Sequence, residues 1–386
     1  MALLSKQLLT VALLVAATCA LASPFSQLSL VNSELDPYPA LGKPRLSFKA
    51  DGTFKVTIFS DLHFGENPWD DWGPKQDANS LKLMNAILPD EKPDYVVLNG
   101  DLITGENTFK ENATALIDQI VGPLNAAGVP FSSTHGNHDN QRNITHYEEI
   151  LREQQVAPLS YTRLAPKGVG GESGPGNYWV PVYKSASEES TPALILWFFD
   201  SRGGFAAVKD TNSTETTPVP DWVDESVTSW ITEETARMET EWGPSEGRGA
   251  LAFMHIPPHE IQAVQGSVDS DKNPGLNADT LGSGSVQSTS DQPFWNTLTT
   301  KIKNLHAIIS GHDHGNEWCA RENEKNVIFC FNKHSGYGGY GKAGWGYGVR
   351  NIIFSSPDPK VAPQTWIRLE AGETRAHVTL NDEYGR

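Results

Sequence analysis

Three apolar runs that each end in a polar cluster set the strongest limit on what this chain can fold into. "FKVTIFS" runs into "DLH", "DYVVLNG" into "DL", and "VPFSST" into "HGNHDN". Between them lie stretches with helical apolar spacing, "SLKLMNAILPDEK" and "ENATALIDQIVGPLNAAG", the second closed by glycine. A short, continuous apolar run bounded by turn residues reads as a strand buried on both faces. Strands that alternate with helices need crossover connections, hence a largely parallel sheet whose sites lie where loops leave the strands' carboxyl ends.

The second half is less regular. "PALILWFFDS" and "GALAFMHIPPH" read as strands, with "VTSWITEETARMETEW" as a helix between them. "FWNTLTTKIKNL" is expected to be a helix, "HAIIS" a strand and "GHDHGN" its loop; "NVIFCF", "VRNIIFS" and "TWIRLEAGETRAHVTL" read as edge strands or hairpins. Residues 264–292 are rich in Gly, Ser and Asp without periodicity, so they are expected to form a mobile surface loop. No repeat is visible, and no linker splits the chain in two.

Five clusters follow apolar runs: Asp61-Leu62-His63, Gly100-Asp101, Gly136-Asn137-His138-Asp139, Met254-His255 and Gly311-His312-Asp313-His314. Imidazole and carboxylate without cysteine suit borderline ions such as zinc, manganese or iron. The donors suffice for two ions, and paired cations bridged by a carboxylate serve phosphoryl and other hydrolytic chemistry. Singly, each cluster has a plain structural reading: Asp-x-His caps a turn, Gly-Asp is a common turn pair, and a lone histidine such as His255 is more often a hydrogen-bonded core residue.

Taken in this order, Asp-x-His, Gly-Asp, Gly-Asn-His-Asp, a lone His and Gly-His-x-His resemble the signature blocks of the calcineurin-like metallophosphoesterase superfamily, and all five stand between residues 61 and 314. "SDLHFGE" and "LNGDLITGENT" are similar to its fungal and plant purple-acid-phosphatase-like subgroup. The resemblance implies a single-domain α/β fold: a four-layer α/β/β/α sandwich of two packed mixed sheets flanked by helices. It also implies one metal on Asp61, His63, Asp101 and His314, and a second on Asp101, Asn137, His255 and His312, with Asp101 bridging. Asn137 would be a neutral ligand through its carbonyl oxygen. True purple enzymes carry a tyrosine three residues after the Gly-Asp aspartate; this chain has Thr104 there, so no purple chromophore is expected.

By the same resemblance, the implied reaction is hydrolysis of phosphomonoesters by a metal-bound hydroxide. His138 would protonate the leaving oxygen and Asp139 would orient its ring. Phosphodiesterase activity on nucleotide or lipid-headgroup substrates is the alternative, and a non-catalytic metal-binding scaffold a remoter one. His135 is read as packing near the strand end rather than facing the pocket. "NKHSGYGGYGKAGWGYG", from Asn332 to Gly348, is either a substrate-facing wall with His334 as a phosphate contact or an aromatic-packed loop. Asp200 and Arg202 are read as a structural ion pair before a substrate contact, Asp313 as pointing away from the metals, and Trp222 to Trp242 as a core-facing helix.

The chain opens on "MALLSKQLLTVALLVAATCALAS", one lysine before an apolar run that ends in a small-x-small pattern. Residues 1–22 are therefore read as a signal peptide, since the apolar run is shorter than the ~20 residues of a membrane span. Residues 23–50 are taken as an N-terminal extension and 51–386 as the domain, with the strands of 350–380 inside it. Losing residues 1–22 removes Lys6 and no acid, so the formal charge of −17 becomes −18. Such an acidic chain is a poor binder of nucleic acid or anionic membrane, and an anionic phosphate ester, small or on a protein, would need the metals' positive charge. No membrane anchor is expected, and a secreted, secretory-pathway or vacuolar location is. Cys319 and Cys330, the cysteines left after Cys19 departs, are expected to form a disulfide worth roughly 3 kcal/mol of chain entropy. Sequons at Asn112, Asn143 and Asn212 fit the same route.

Overall fold

The computed structural model describes residues 35–186, 191–208 and 214–386. The signal-peptide reading, Cys19 and the sequon at Asn212 lie outside these residues. The first half of the described chain holds α1 (Pro37–Leu41), β1 (Leu46–Ser47), β2 (Phe54–Phe59), α2 (Trp72–Glu91), β3 (Tyr95–Asn99), α3 (Ala115–Ala127), β4 (Phe131–Thr134), α4 (His146–Val156) and β5 (Tyr178–Tyr183). Next come β6 (Pro192–Phe198), β7 (Phe205–Ala207), β8 (Thr216–Pro218), α5 (Ser226–Trp242), β9 (Gly249–Phe253), α6 (Ile261–Gln265) and α7 (Gln292–Lys301). The last strands are β10 (Leu305–Ser310), β11 (Cys319–Glu322), β12 (Val327–Phe331), β13 (Gly348–Phe354), β14 (Gln364–Leu369) and β15 (Thr374–Thr379).

They build a six-stranded sheet, β15-β14-β13-β2-β3-β4, and a seven-stranded sheet, β1-β5-β6-β9-β10-β12-β11, with β7 and β8 as a separate ribbon. Strands β2, β3 and β4 pair in parallel, as do β6, β9, β10 and β12. Strands β5, β11, β13, β14 and β15 join antiparallel. Both sheets are mixed.

Alternate side chains of one strand serve different layers. Val56, Ile58, Tyr95 and Val97 of the first sheet meet Leu194, Leu196, Leu251, Phe253, Ala307 and Ile309 of the second in one buried cluster. Their neighbours Phe59, Val96 and Leu98 point outward onto Leu83 and Met84 of α2 and Ile117 and Ile120 of α3. On the far side Trp197, Ala252 and Ile308 pack on Trp230 of α5 and Phe294 and Trp295 of α7. The chain is thus a four-layer α/β/β/α sandwich. A one-residue slip in any central strand would exchange residues between two dry layers, which fixes the register.

Three expectations change. The domain does not begin at residue 51: Leu46 and Ser47 pair in parallel with Val182 and Tyr183, and Tyr38 and Phe48 lie in the core between the sheets. Residues 264–292 are not a free surface loop, because Leu281 and Val286 are buried in the cluster under α5 and α7. Gln287 ties the segment down through Pro257 O and Ile256 O. Helix α4 and strand β5 were not anticipated. Cys319 and Cys330 sit opposite one another on the antiparallel pair β11–β12 and form a disulfide. Among the described residues no helix is long and apolar enough to cross a membrane.

Candidate metal centre

The carboxyl ends of β2, β3, β4, β9 and β10 meet at one edge of the sandwich, and Asn99 stitches them together. Its Nδ2 donates to Ile309 O (3.2 Å) and Met254 O (3.4 Å), while its Oδ1 accepts from the Thr134 hydroxyl (2.8 Å). One buried amide thereby joins four strand ends from both sheets, and each loop that follows delivers a candidate ligand.

Those ligands form two groups, Asp61, His63 and His314 in one and Asp101, His255 and His312 in the other; within each, the donor atoms lie within 4.8 Å of one another. Asp101 Oδ2 stands 2.9 Å from His255 Nε2 and 3.7 Å from His63 Nε2, so it reaches into both groups. Asp61 Oδ1 does the same more loosely, 3.5 Å from His314 and 3.8 Å from His255.

Every ring has one nitrogen engaged away from the centre. His63 Nδ1 meets the Thr104 hydroxyl (3.0 Å), His255 Nδ1 the Asn99 carbonyl (3.0 Å), His314 Nδ1 the Tyr340 carbonyl (2.6 Å) and His312 Nε2 the Gly284 carbonyl (2.7 Å). Such partners fix ring orientation and leave the other nitrogen as the donor for a metal. The Nε2 of His63 and the Oδ1 of Asn137 are buried without a hydrogen-bond partner, and the Nε2 of His255 has only the Asp101 carboxylate, at 2.9 Å. An unpaired buried polar atom costs about 1–3 kcal/mol. Such atoms stand among the ligands proposed for each of two ions, and bound cations would satisfy them. Asn137 stands outside both groups as a neutral oxygen donor.

The backbone is strained at the same place. Asp61, His63, Asp101 and His312 have φ of 57°, 50°, 49° and 75°. The left-handed region costs a non-glycine residue roughly 1–2 kcal/mol, and such costs gather at functional sites. Backbone N–H groups hold the turns: His312 N donates to Asp61 Oδ1 (2.9 Å) and His138 N to Asp101 Oδ1 (2.8 Å). Two glycines allow the close approach. A Cβ on Gly136 would collide with Asp101 and the His255 ring, and one on Gly339, φ 69°, would lie 2.6 Å from His314 and 2.7 Å from His63.

Charge is just as concentrated. Burial holds His63 down to about 3 and, with His255 beside it, His312 down to about 4. Burial also opposes a proton on His255, yet Asp101 and Asp61 outweigh it and lift the ring to about 10. The excess negative charge that raises His255 is what a bound cation would neutralise.

Two expectations are corrected here. Asp139 does not orient His138: its carboxylate accepts from Ile103 N and Gly136 N, both at 2.8 Å, and so shapes the loop. Glu106 faces the ring instead, with Oε1 2.6 Å from His138 Nδ1; with Asp101 it outweighs burial and lifts His138 to about 9. His334 is not a contact waiting at the mouth. It is buried, stacked on His314 at 4.0 Å, and its Nε2 donates to Gly338 O (3.1 Å), so it braces a ligand.

The residues in the background follow plainer roles. His135 is fully buried with both nitrogens unpartnered, 3.9 Å from Glu149. Asp200 pairs with His146 (3.0 Å), whose Nε2 donates to Gly136 O (2.7 Å), and Arg202 pairs with Asp224 (3.1 Å). Asn112 is exposed, while Asn143 Nδ2 donates to Thr108 O (3.0 Å). The sequence reading missed Glu106, Thr104 as the His63 partner, and the carbonyls of Asn99, Gly284 and Tyr340. For Glu106 a signal existed, an acid in a strand-end loop; a backbone carbonyl leaves none.

Residues 54–316 match the calcineurin-like phosphoesterase family. The chain is 28% identical over 336 residues to a protein of Arabidopsis thaliana named probable inactive purple acid phosphatase 29, covering 83% of this chain and 81% of that one. It is also 28% identical over 302 residues to the phosphatase DCR2 of Saccharomyces cerevisiae, covering 75% of this chain and 49% of that one. Among solved structures, a dimetal phosphatase from Danio rerio shares the fold, with a TM-score of 0.52 at 12% identity over 86% of this chain and all of that one. A fold of two mixed sheets, two groups of metal donors at one edge and a family match over most of the chain lead to one conclusion: the protein belongs to the calcineurin-like metallophosphoesterases, in the fungal and plant purple-acid-phosphatase-like subgroup.

Proposed function

We propose that this protein is a dinuclear-metal phosphomonoesterase of the secretory pathway, vacuole or cell exterior. Asp61, His63, Asp101 and His314 would hold one ion and Asp101, Asn137, His255 and His312 the other. When bound, such ions polarise a phosphate ester and lower the pKa of a water. The chain's own residues do the rest. Asp101 and Asp61 supply the negative charge that keeps two cations close. Glu106 accepts from His138 Nδ1, which leaves Nε2 to carry the proton for a departing alkoxide. Asp139 and His146 hold the Gly136 turn, so Asn137 and His138 leave it in fixed directions. The signal-peptide reading and the Cys319–Cys330 disulfide support the location.

The observation that carries this reading is the pair of buried, unpartnered atoms His63 Nε2 and Asn137 Oδ1, one among the ligands of each ion, beside an ionisable ring that is still one-third exposed. The relative named inactive favours a second reading, a metal-binding protein without turnover. One assay separates them: protein loaded with manganese or zinc, offered p-nitrophenyl phosphate and bis-p-nitrophenyl phosphate. At least tenfold faster turnover of the monoester is expected. Equal or faster diester turnover would mark a phosphodiesterase, and two bound ions without turnover would mark the inactive reading.

A further inference from the structure

We infer that the rim of this site selects phosphate esters whose alcohol carries a positive charge on an apolar stem, of the quaternary-ammonium kind; this rests on the phosphomonoesterase reading above. The loops that leave β2 and β3 run side by side, with Thr104 N donating to Phe64 O (2.9 Å). Each brings a carboxylate to the mouth and an exposed aromatic ring three residues later: Glu66 and Trp69 on one, Glu106 and Phe109 on the other. Glu106 stands against His138, and Glu66 Oε2 accepts from Gly339 N (2.6 Å), the glycine pressed on His63 and His314. At the floor, His63 is buried and its Nε2 has no partner.

Trp69 is 59% and Phe109 50% exposed, and their rings meet edge to face at 6.4 Å between centroids. Paired aromatic rings left in solvent beside a catalytic edge are a ready apolar surface. Three residues of chain span at most about 11 Å, which bounds how far each ring stands from its carboxylate. Glu106 is engaged by His138, so the aromatic faces and the Glu66 carboxylate are what attract a cation and repel an anion. The two cations of the glycine-rich loop do not offset this, because Lys333 lies 3.2 Å from Glu317 and Lys342 sits over the Trp345 ring.

The test uses the full, metal-loaded protein and three monoesters: phosphocholine, 3,3-dimethylbutyl phosphate as its uncharged isostere, and 3-phosphoglycerate as an anionic substrate. The expected kcat/KM for phosphocholine exceeds that for the isostere about tenfold, with the anionic ester slowest. Glu66→Gln and Trp69→Ala should each reduce the phosphocholine-to-isostere ratio about threefold, measured on samples that melt like the wild type. A wild-type ratio at or below one, or a ratio unmoved by both variants, overturns the inference while hydrolysis of the isostere leaves the phosphomonoesterase reading standing. Two bound ions with no turnover of any monoester overturn both.

Discussion

Asp101 and His255 are anchored at the ends of buried strands, whereas His63 and His314 sit under a roof of loops. His255 leans on the carbonyl of Asn99, the residue whose side chain also ties β3, β4, β9 and β10 together. His314 leans on the carbonyl of Tyr340, which is half exposed, and its ring lies between Tyr340 (4.1 Å) and His334 (4.0 Å). His63 depends on one hydroxyl, Thr104, and on glycines that press close. The difference teaches which half of the centre is fixed by the fold and which is assembled on top of it. The Asp101 half should hold its ion more tightly, and the His63 half should exchange more readily.

The most severe way to break that contrast is Gly136→Ala. Its Cβ would collide with Asp101 and His255, so both halves should fail together, with metal content falling below one ion per chain and turnover by about 10³-fold or more, read by elemental analysis and p-nitrophenyl phosphate hydrolysis. His138→Ala comes next. Since its ring meets His63 only edge to face, at 5.0 Å, and gives neither half a hydrogen bond, both ions should stay while kcat drops about 10²-fold or more; metal lost in parallel would make His138 a ligand. Glu106→Gln keeps a hydrogen-bonding group but not the charge facing Nδ1, and about a tenfold loss is expected, larger for alkyl than for p-nitrophenyl esters. The smallest and most selective change is Thr104→Val. Removing the hydroxyl beside His63 should weaken one ion by about 10- to 100-fold and leave the other within a factor of two, by competition with a chelator. Equal weakening of both ions would remove the contrast.

How much of this could be read from sequence follows a physical line. Ligands that leave the ends of apolar strands were legible because an uninterrupted apolar run and a polar cluster together allow few alternatives. Helix α4 was hidden because three of its four buried residues, His146, Glu149 and Glu153, are polar; only Ile150 follows the apolar pattern. Its start was nonetheless written in Thr145-His146-Tyr147-Glu148, where the threonine side chain accepts from Glu148 N as in a capping box. Helix α2 starts at Trp72 although its first turns are polar, so its apolar stripe showed only the second half. The orienting shell was illegible for another reason. Asn99, Gly284 and Tyr340 act through main-chain carbonyls, which every residue has, and only the folded register says which carbonyl faces which ring. Asp139 adjoins His138 in sequence but does not face its ring, because the turn at Gly136 points it back into its own loop.

The central claim is that Asp101 stands between two ions that the remaining ligands hold in separate groups. The direct measurement is metal content per chain, by elemental analysis after dialysis, for the wild type and for Asp101→Asn at equal folded fraction. The account predicts two ions in the wild type and no more than one in the variant, with p-nitrophenyl phosphate turnover lost. Two ions still tightly held in Asp101→Asn, or one or fewer in a folded wild type loaded with manganese or zinc, would contradict it.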